Sequence, residues 1–139
     1  MEKWTKTYIN DLTYRIIGCA IEVHKILGPG LLESVYERCL IRELLLRGMC
    51  VQSQISVPVN YKGLDLEADL RLDLLVEDAI AVETKAVETI NPVYEAQILS
   101  YMKLLAKPKG ILLNFCCANI FREGQRTFVN DIYSGLPDK

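Results

Sequence analysis

Apolar residues recur at three- and four-residue spacing in the first third of the chain, which is the pattern of a helix with one buried stripe. The first stretch predicts a helix over about residues 10–27, and Gly28-Pro29-Gly30 ends it. A second stretch predicts a helix over about residues 31–47, with Gly48 as its C-terminal stop. Because the link is short, we expect the two helices to pack side by side.

The middle of the chain changes to a period of two, which is typical of strands. Alternation over about residues 55–59 predicts a first strand, and residues 64–74 predict a long second strand with a single apolar face. A third strand is expected over about residues 80–83, with turns at Tyr61-Lys62-Gly63 and Glu77-Asp78. Together these strands predict an antiparallel meander.

The last third combines a helix with a buried strand. Asn91-Pro92 supplies a cap and a first helical residue, so a helix is expected from there to about Leu105. Residues 111–115 predict a buried strand parallel to the one before the helix, and residues 127–129 an edge strand. The fold class is α/β (α+β): an αβββαβ core in one domain, 1–139, with a mixed sheet of about four strands flanked by helices.

Composition narrows the function classes. The formal net charge is −2, from 16 basic and 18 acidic residues, so the chain lacks the positive field that supports tight non-specific binding of nucleic acid. No apolar run is long enough to span a membrane, the start lacks the apolar stretch of a secretion signal, and a cytoplasmic location is expected. Five cysteines without a Cys-x-x-Cys pair predict free, mostly buried thiols. The basic residues that could still cluster are Lys103, Lys107, Lys109, Arg122 and Arg126.

Asp73, Glu83 and Lys85 form the strongest candidate for chemistry. Glu83 and Lys85 are two residues apart on a strand, so their side chains share a face. A three-residue loop at residues 77–79 would put Asp73 opposite Glu83, whereas a two-residue loop at Glu77-Asp78 would pair Asp73 with Val82 and separate the carboxylates.

Two converging carboxylates are hard oxygen ligands suited to Mg²⁺ or Mn²⁺, and a neighbouring lysine could orient water or stabilise developing negative charge. The alternative is that Asp73 ends a charged, solvated row and that the Glu83–Lys85 pair only decorates the surface.

Two helices carry further candidates. Glu33 falls in the first turn of the second helix, where a carboxylate also simply complements the helix dipole. Gln97 and Tyr101 share a face of the third helix, although Tyr101 could merely pack and Gln97 merely be exposed. The single histidine, His24, favours a surface or packing role, which argues against a hydrolytic triad.

Several stretches of the chain resemble the GxxExxY protein family. Gly30-Leu31-Leu32-Glu33-Ser34-Val35-Tyr36 carries the signature, and Val23-His24 and Leu27-Gly28-Pro29 before it are also similar. The resemblance continues through residues 72–77, 82–86 and 95–97, and covers the chain from about Asp11 to Phe115. That family is placed within the PD-(D/E)xK nuclease-like superfamily, although here Leu72 stands where the motif has proline.

The resemblance implies a restriction-endonuclease-like fold and assigns roles to the candidates. Asp73 matches the motif aspartate, Glu83 and Lys85 match the E-x-K, and Glu33 matches the acidic residue on the first core helix. Gln97 and Tyr101 resemble the Q-x-x-x-Y of some exonuclease branches. The implied metal ligands are therefore Asp73, Glu83 and Glu33.

These observations predict a Mg²⁺-dependent nuclease that hydrolyses phosphodiester bonds of DNA or RNA. The acidic balance predicts weak intrinsic binding of nucleic acid, strengthened by a second copy of the chain or by a partner protein. The competing hypothesis is a catalytically silent binding or regulatory module that keeps the nuclease fold.

Overall fold

Two helices precede a run of strands in the computed structural model, which describes residues 4–66 and 70–139. The helices are α1 (Lys6–Leu27), α2 (Glu33–Leu46), α3 (Pro92–Leu105) and α4 (Asp131–Ser134), with a π-helical turn at Ile120–Gly124. The strands are β1 (Val51–Ser56), β2 (Val59–Tyr61), β3 (Leu64–Leu66), β4 (Arg71–Val76), β5 (Ile80–Lys85), β6 (Lys109–Asn114) and β7 (Gln125–Val129).

Local chemistry explains where the main helices begin and end. The Thr5 side chain accepts a hydrogen bond from the Tyr8 N–H at 3.0 Å and so caps α1. Gly28, at a φ of 67°, ends α1 in a conformation that glycine adopts without strain. The Asn91 side chain caps α3 as its position before Pro92 predicts, and α3 ends at Leu105 as expected.

Within the described residues, five strands form one mixed sheet in the order β1-β4-β5-β6-β7, and β2 and β3 form a separate antiparallel pair. The β5–β6 pair is parallel and the other neighbours in the large sheet are antiparallel. The predicted crossover through α3 and the predicted edge strand β7 are therefore confirmed. The expected sheet of about four strands gains a fifth, and the meander is interrupted by the β2–β3 hairpin.

Each face of the sheet has its own apolar core. α1 and α2 cover one face and pack on residues that include Leu74, Val82 and Phe115. α3 covers the other face, where Tyr101 packs with Leu72 and others. α3 also approaches β6 closely, since a Cβ on Gly110 would lie 2.6 Å from the sulfur of Met102.

The prediction of one apolar face along residues 64–74 is wrong. Leu72 and Leu74 are both fully buried, but they lie in the cores on opposite faces of the sheet. The β1–β4 register pairs Ser53 with Leu74 and Ile55 with Leu72 but leaves out Asp73 and Gln54, and Gln54 has a left-handed φ of 51°. Residues 67–69 of the predicted strand lie outside the described residues.

The thiols are free, as expected, but they are not mostly buried. Cys19 is buried, Cys39, Cys116 and Cys117 are half-buried, and Cys50 is exposed. In the described part of the chain, no helix has both the length and the apolar character of a membrane span.

Candidate active site

The turn between β4 and β5 decides which residues meet. β4 and β5 pair Val76 with Ile80 and Leu74 with Val82, so the loop has three residues, 77–79. Glu77 and Asp78 both have left-handed φ angles, near 54° and 52°, which permits the tight reversal. The same register puts Asp73 opposite Glu83, which is the longer-loop alternative.

Beyond the Leu74–Val82 pair, side-chain carboxylates accept hydrogen bonds from the backbone N–H groups of the neighbouring strand. The Asp73 N–H donates to Glu83 Oε2 at 2.8 Å. In return, the Thr84 N–H and hydroxyl donate to Asp73 Oδ2 at 2.8 and 3.1 Å. Each carboxylate thus uses one oxygen to accept hydrogen bonds from the neighbouring strand. Among the described residues, no hydrogen bond involves Asp73 Oδ1 or Glu83 Oε1.

Among these acidic side chains, Glu83 has the most strongly shifted pKa. Its residue is only 4% exposed. Burial, and then the nearby Asp73 carboxylate, raise the pKa of Glu83 to about 8 from an ordinary value of 4.5. The Asp73 N–H and the Lys85 ammonium act in the opposite direction. Such crowding of acids is relieved when a cation binds between them.

Lys85 and Glu33 reach the same place from two different elements. The Lys85 ammonium lies 4.4 Å from the ring centroid of Tyr94 on α3, and it lowers the pKa values of Glu33 and Glu83. Glu33 lies in the first turn of α2, and the Ala86 N–H just beyond β5 lowers its pKa. Burial still raises the pKa of Glu33, with Asp73 adding to the rise.

Gln97 and Tyr101 lie on one face of α3, and Tyr101 is close enough to Glu83 and Asp73 to be affected by their charges. Tyr101 is 4% exposed and packs in the α3 core. Its pKa is raised by burial and then by the charges of Glu83 and Asp73, while Gln97 lowers it. Tyr101 therefore both packs and borders the acidic cluster, and Gln97 is half-buried rather than exposed.

The structure thus brings all six sequence candidates together, and it adds residues that the sequence did not single out. Thr84 is buried and binds Asp73. The Gln54 side chain donates to Glu37 at 2.8 Å, and the pKa of Glu37 is raised by burial and by the Asp73 charge. Spacing already put Glu37 on the same helix face as Glu33, one turn later, whereas no pattern along one strand reveals Gln54.

Tyr36, which ends the Gly30–Tyr36 signature, and His24, which precedes it, both make structural contacts. The Tyr36 hydroxyl donates to the Gly28 carbonyl at 2.5 Å and accepts from the Leu31 N–H at 3.1 Å, so it closes the loop between α1 and α2. Its ring stacks on Phe115 at 4.5 Å. His24 is buried and bonds the Cys117 carbonyl at 2.9 Å, which agrees with a packing role.

The donor chemistry of Asp73 and Glu83 fits a hard divalent cation. Mg²⁺ keeps several waters and is commonly held through one or two carboxylates. Within residues 4–66 and 70–139, no three His, Cys, Asp or Glu side chains already stand at metal-ligand spacing. The residues that fit a divalent cation are therefore the Asp73 and Glu83 carboxylates, with the Glu33 carboxylate next to them.

Three of the five basic residues that could cluster already have partners or are buried. Lys107 pairs with Asp78 at 2.9 Å, and Arg126 pairs with Glu95. Lys109 is buried against the ring of Tyr133. Lys109 also pairs with Ile80 at the start of β5, whereas the carboxylates lie near its end, so this lysine is at the opposite end of the sheet.

Comparison with known proteins supplies the family. Neither the curated proteins nor the solved structures give a significant match to the chain. The model of the PD-(D/E)XK nuclease superfamily matches residues 10–127, which include all six candidate residues. A match over most of the chain, together with a mixed five-stranded sheet flanked by helices, leads to one conclusion: the chain belongs to the PD-(D/E)XK nuclease superfamily.

Proposed function

We propose that the protein is a Mg²⁺- or Mn²⁺-dependent nuclease that hydrolyses phosphodiester bonds of DNA or RNA. The observation that carries the proposal is the open end of the β4–β5 pair, where Asp73 and Glu83 bind each other's strand and each keep one oxygen free of described partners. Membership of a nuclease superfamily supports the same reaction.

Asp73 and Glu83 would hold the ion, with Glu33 as a third, adjoining carboxylate. A divalent ion in that place, when bound, polarises a phosphoryl oxygen and acidifies bound water. The Thr84 and Asp73 N–H groups keep the two carboxylates in fixed orientations, so less ordering is needed when the ion binds. A cation also favours the ionised form of Glu83, which burial alone disfavours.

Lys85 is assigned to the attacking water and to the negative charge that develops on the phosphoryl group. Its ammonium is close enough to Glu33 and Glu83 to lower both pKa values, so it could also stabilise negative charge on a phosphoryl group bound between them. Gln97 and Tyr101 flank this position and are assigned to substrate orientation.

We further infer that the chain belongs to the GxxExxY group within the superfamily. The signature residues act together in the structure, which supports this inference. The Tyr36 hydroxyl forms hydrogen bonds with the loop at Gly28 and Leu31, and α2 begins directly after that loop, at Glu33. We also propose a cytoplasmic location, where free thiols stay reduced.

The metal proposal is tested by titration calorimetry with Mn²⁺ and by cleavage of labelled DNA and RNA. Asp73→Asn and Glu83→Gln keep the side-chain shapes but remove charge, so each should weaken Mn²⁺ binding and abolish cleavage. Asp11→Asn, on an exposed position of α1, is the matched control and should change neither. Equal Mn²⁺ binding by the wild type and by an Asp73→Ala/Glu83→Ala double variant would refute the site.

Binding of nucleic acid is expected to be weak. The formal charge of −2, with Lys107 and Arg126 already paired to acids, leaves little free positive charge to attract phosphates. Fluorescence anisotropy with Ca²⁺ should show binding at low salt that is lost near physiological ionic strength. Tight binding that persists at high salt would refute the need for a second copy or a partner. No binding at any salt would favour a catalytically silent regulatory module.

A further inference from the structure

Tyr94 is in contact with the site but has no role in the reaction proposed above. Its ring centroid lies 4.4 Å from the Lys85 ammonium, the shortest of the ammonium–ring contacts in the described residues. That distance lies within the range of a cation–π interaction. Unlike Tyr61, which stacks with Lys62 and is 62% exposed, Tyr94 is half-buried, so water screens the contact less.

The backbone fixes both partners of this contact. The Tyr94 N–H donates to the Asn91 carbonyl at 2.9 Å, and the Asn91 side chain caps the same helix start. Lys85 ends β5, and its carbonyl accepts from the Phe115 N–H at 2.9 Å. The remaining freedom is the long lysine side chain itself, which has many rotamers in the absence of a partner.

Tyr94 also belongs to a stripe that borders the whole site. Tyr94, Gln97 and Tyr101 stand at i, i+3 and i+7 on α3, which places them on one helix face. At one end of the stripe Tyr101 borders Glu83, and at the other end Tyr94 covers Lys85. The two ends of the stripe therefore lie next to the two functional residues of β5, Tyr101 next to Glu83 and Tyr94 next to Lys85.

We propose that Tyr94 is a positioning residue that holds the Lys85 ammonium on the side of the site where Glu33 and Glu83 lie. The kinetic part of this inference rests on the proposed nuclease function, whereas the contact itself does not. An aromatic face attracts the ammonium without accepting its protons, so the N–H groups remain available to water or phosphate.

The contact is tested by nuclear magnetic resonance of the full chain, labelled with ¹³C-lysine and free of metal. Lys85→Arg identifies the Lys85 signal by its disappearance. The Lys85 Hε protons should be shifted upfield by the ring current in the wild type and in Tyr94→Phe, and should lose the shift in Tyr94→Leu. Tyr61→Leu is the matched control and should move only the Lys62 signal. An unchanged Lys85 signal in Tyr94→Leu would overturn the inference.

Kinetics then test the positioning role. Tyr94→Leu should lower kcat about fivefold to tenfold with KM within about twofold, and Tyr94→Phe should stay within about twofold of the wild type. A loss of shift without a loss of kcat would overturn the positioning role and leave the nuclease proposal standing. A wild type without turnover on DNA or RNA would instead refute the nuclease proposal, while the lysine shifts still decide whether Tyr94 holds Lys85.

Discussion

The two ends of the β4–β5 hairpin are built from the same two strands but differ in what joins them. At the turn end, Val76 and Ile80 pair through backbone hydrogen bonds, and both side chains are fully buried. At the other end, the pairing ends at Leu74 and Val82, and side-chain carboxylates accept the next N–H groups. One end is therefore closed by backbone and apolar contacts, and the other is left open with acidic groups inside.

This difference separates stability from chemistry within one hairpin. Backbone pairing satisfies polar groups without using side chains, so the closed end presents only apolar surface to the core. At the open end, Asp73 and Glu83 satisfy backbone donors while keeping acidic oxygens for a ligand. The cost is electrostatic, since burial and the Asp73 charge raise the pKa of Glu83. Substitutions at the two ends should therefore affect different measurements.

The largest effect is expected at the open end, from Lys85→Ala. Loss of the ammonium should lower kcat about 10²- to 10³-fold, because a preorganised charge near the reacting phosphoryl group is lost. Mn²⁺ binding, measured by calorimetry, should remain because Lys85 is not a ligand. Lys25→Ala, an exposed lysine in the last turn of α1, is the control and should retain activity. Joint loss of metal binding, activity and the folded circular dichroism spectrum would show a structural lysine instead.

At the closed end, Ile80→Ala should destabilise the fold without affecting metal binding. Ile80 is fully buried in the core beneath α1 and α2, so truncation should lower the free energy of unfolding by about 2–5 kcal/mol. Urea denaturation measures this change. Ile26→Ala, at a position that is 69% exposed, is the control and should change stability by about 0.5 kcal/mol or less. A change in Mn²⁺ affinity comparable to that of Asp73→Asn would contradict the separation of the two ends.

The smallest effect is a pH dependence of the metal-free protein. Because folding raises the pKa of Glu83 from 4.5 to about 8, the folded state binds this proton more tightly than the unfolded state. Stability from Glu83 is therefore fully present below pH 4.5 and is lost as pH rises toward about 8. Glu83→Gln cannot ionise, and at about pH 6 it should be more stable than the wild type by about 2 kcal/mol, with the difference growing as pH rises.

Thermal unfolding with a chelator, at pH values from 5 to about 8, measures this difference. Added Mn²⁺ should reduce the difference, since the ion favours the ionised carboxylate of the wild type. Parallel stability curves for the two proteins would show that Glu83 is already ionised in the metal-free fold.

Much of the architecture could be predicted because it depends on local pattern. The α3 boundaries follow from the Asn91 cap and from propensity, and the buried β6 follows from an apolar run between Pro108 and Phe115. The Asp73, Glu83 and Lys85 candidates were visible as residue types on neighbouring strands. The choice between the two loop lengths was not visible, because both are ordinary hairpins with the same sequence.

Tertiary structure decided the matters that depend on contacts between distant segments. The left-handed Gln54 beside Asp73 belongs to the pairing of two strands, and alternation along one strand carries no sign of it. The ion pair of Lys107 with Asp78 and the burial of Lys109 likewise depend on segments that are distant in sequence. The sequence by itself determined which elements form and which acidic and basic residues are available, since these follow from local propensity and side-chain chemistry. Only the packing of α2 and α3 against the sheet decided that Glu33 and Tyr101 lie close to the Asp73 and Glu83 carboxylates, because that proximity depends on long-range contacts.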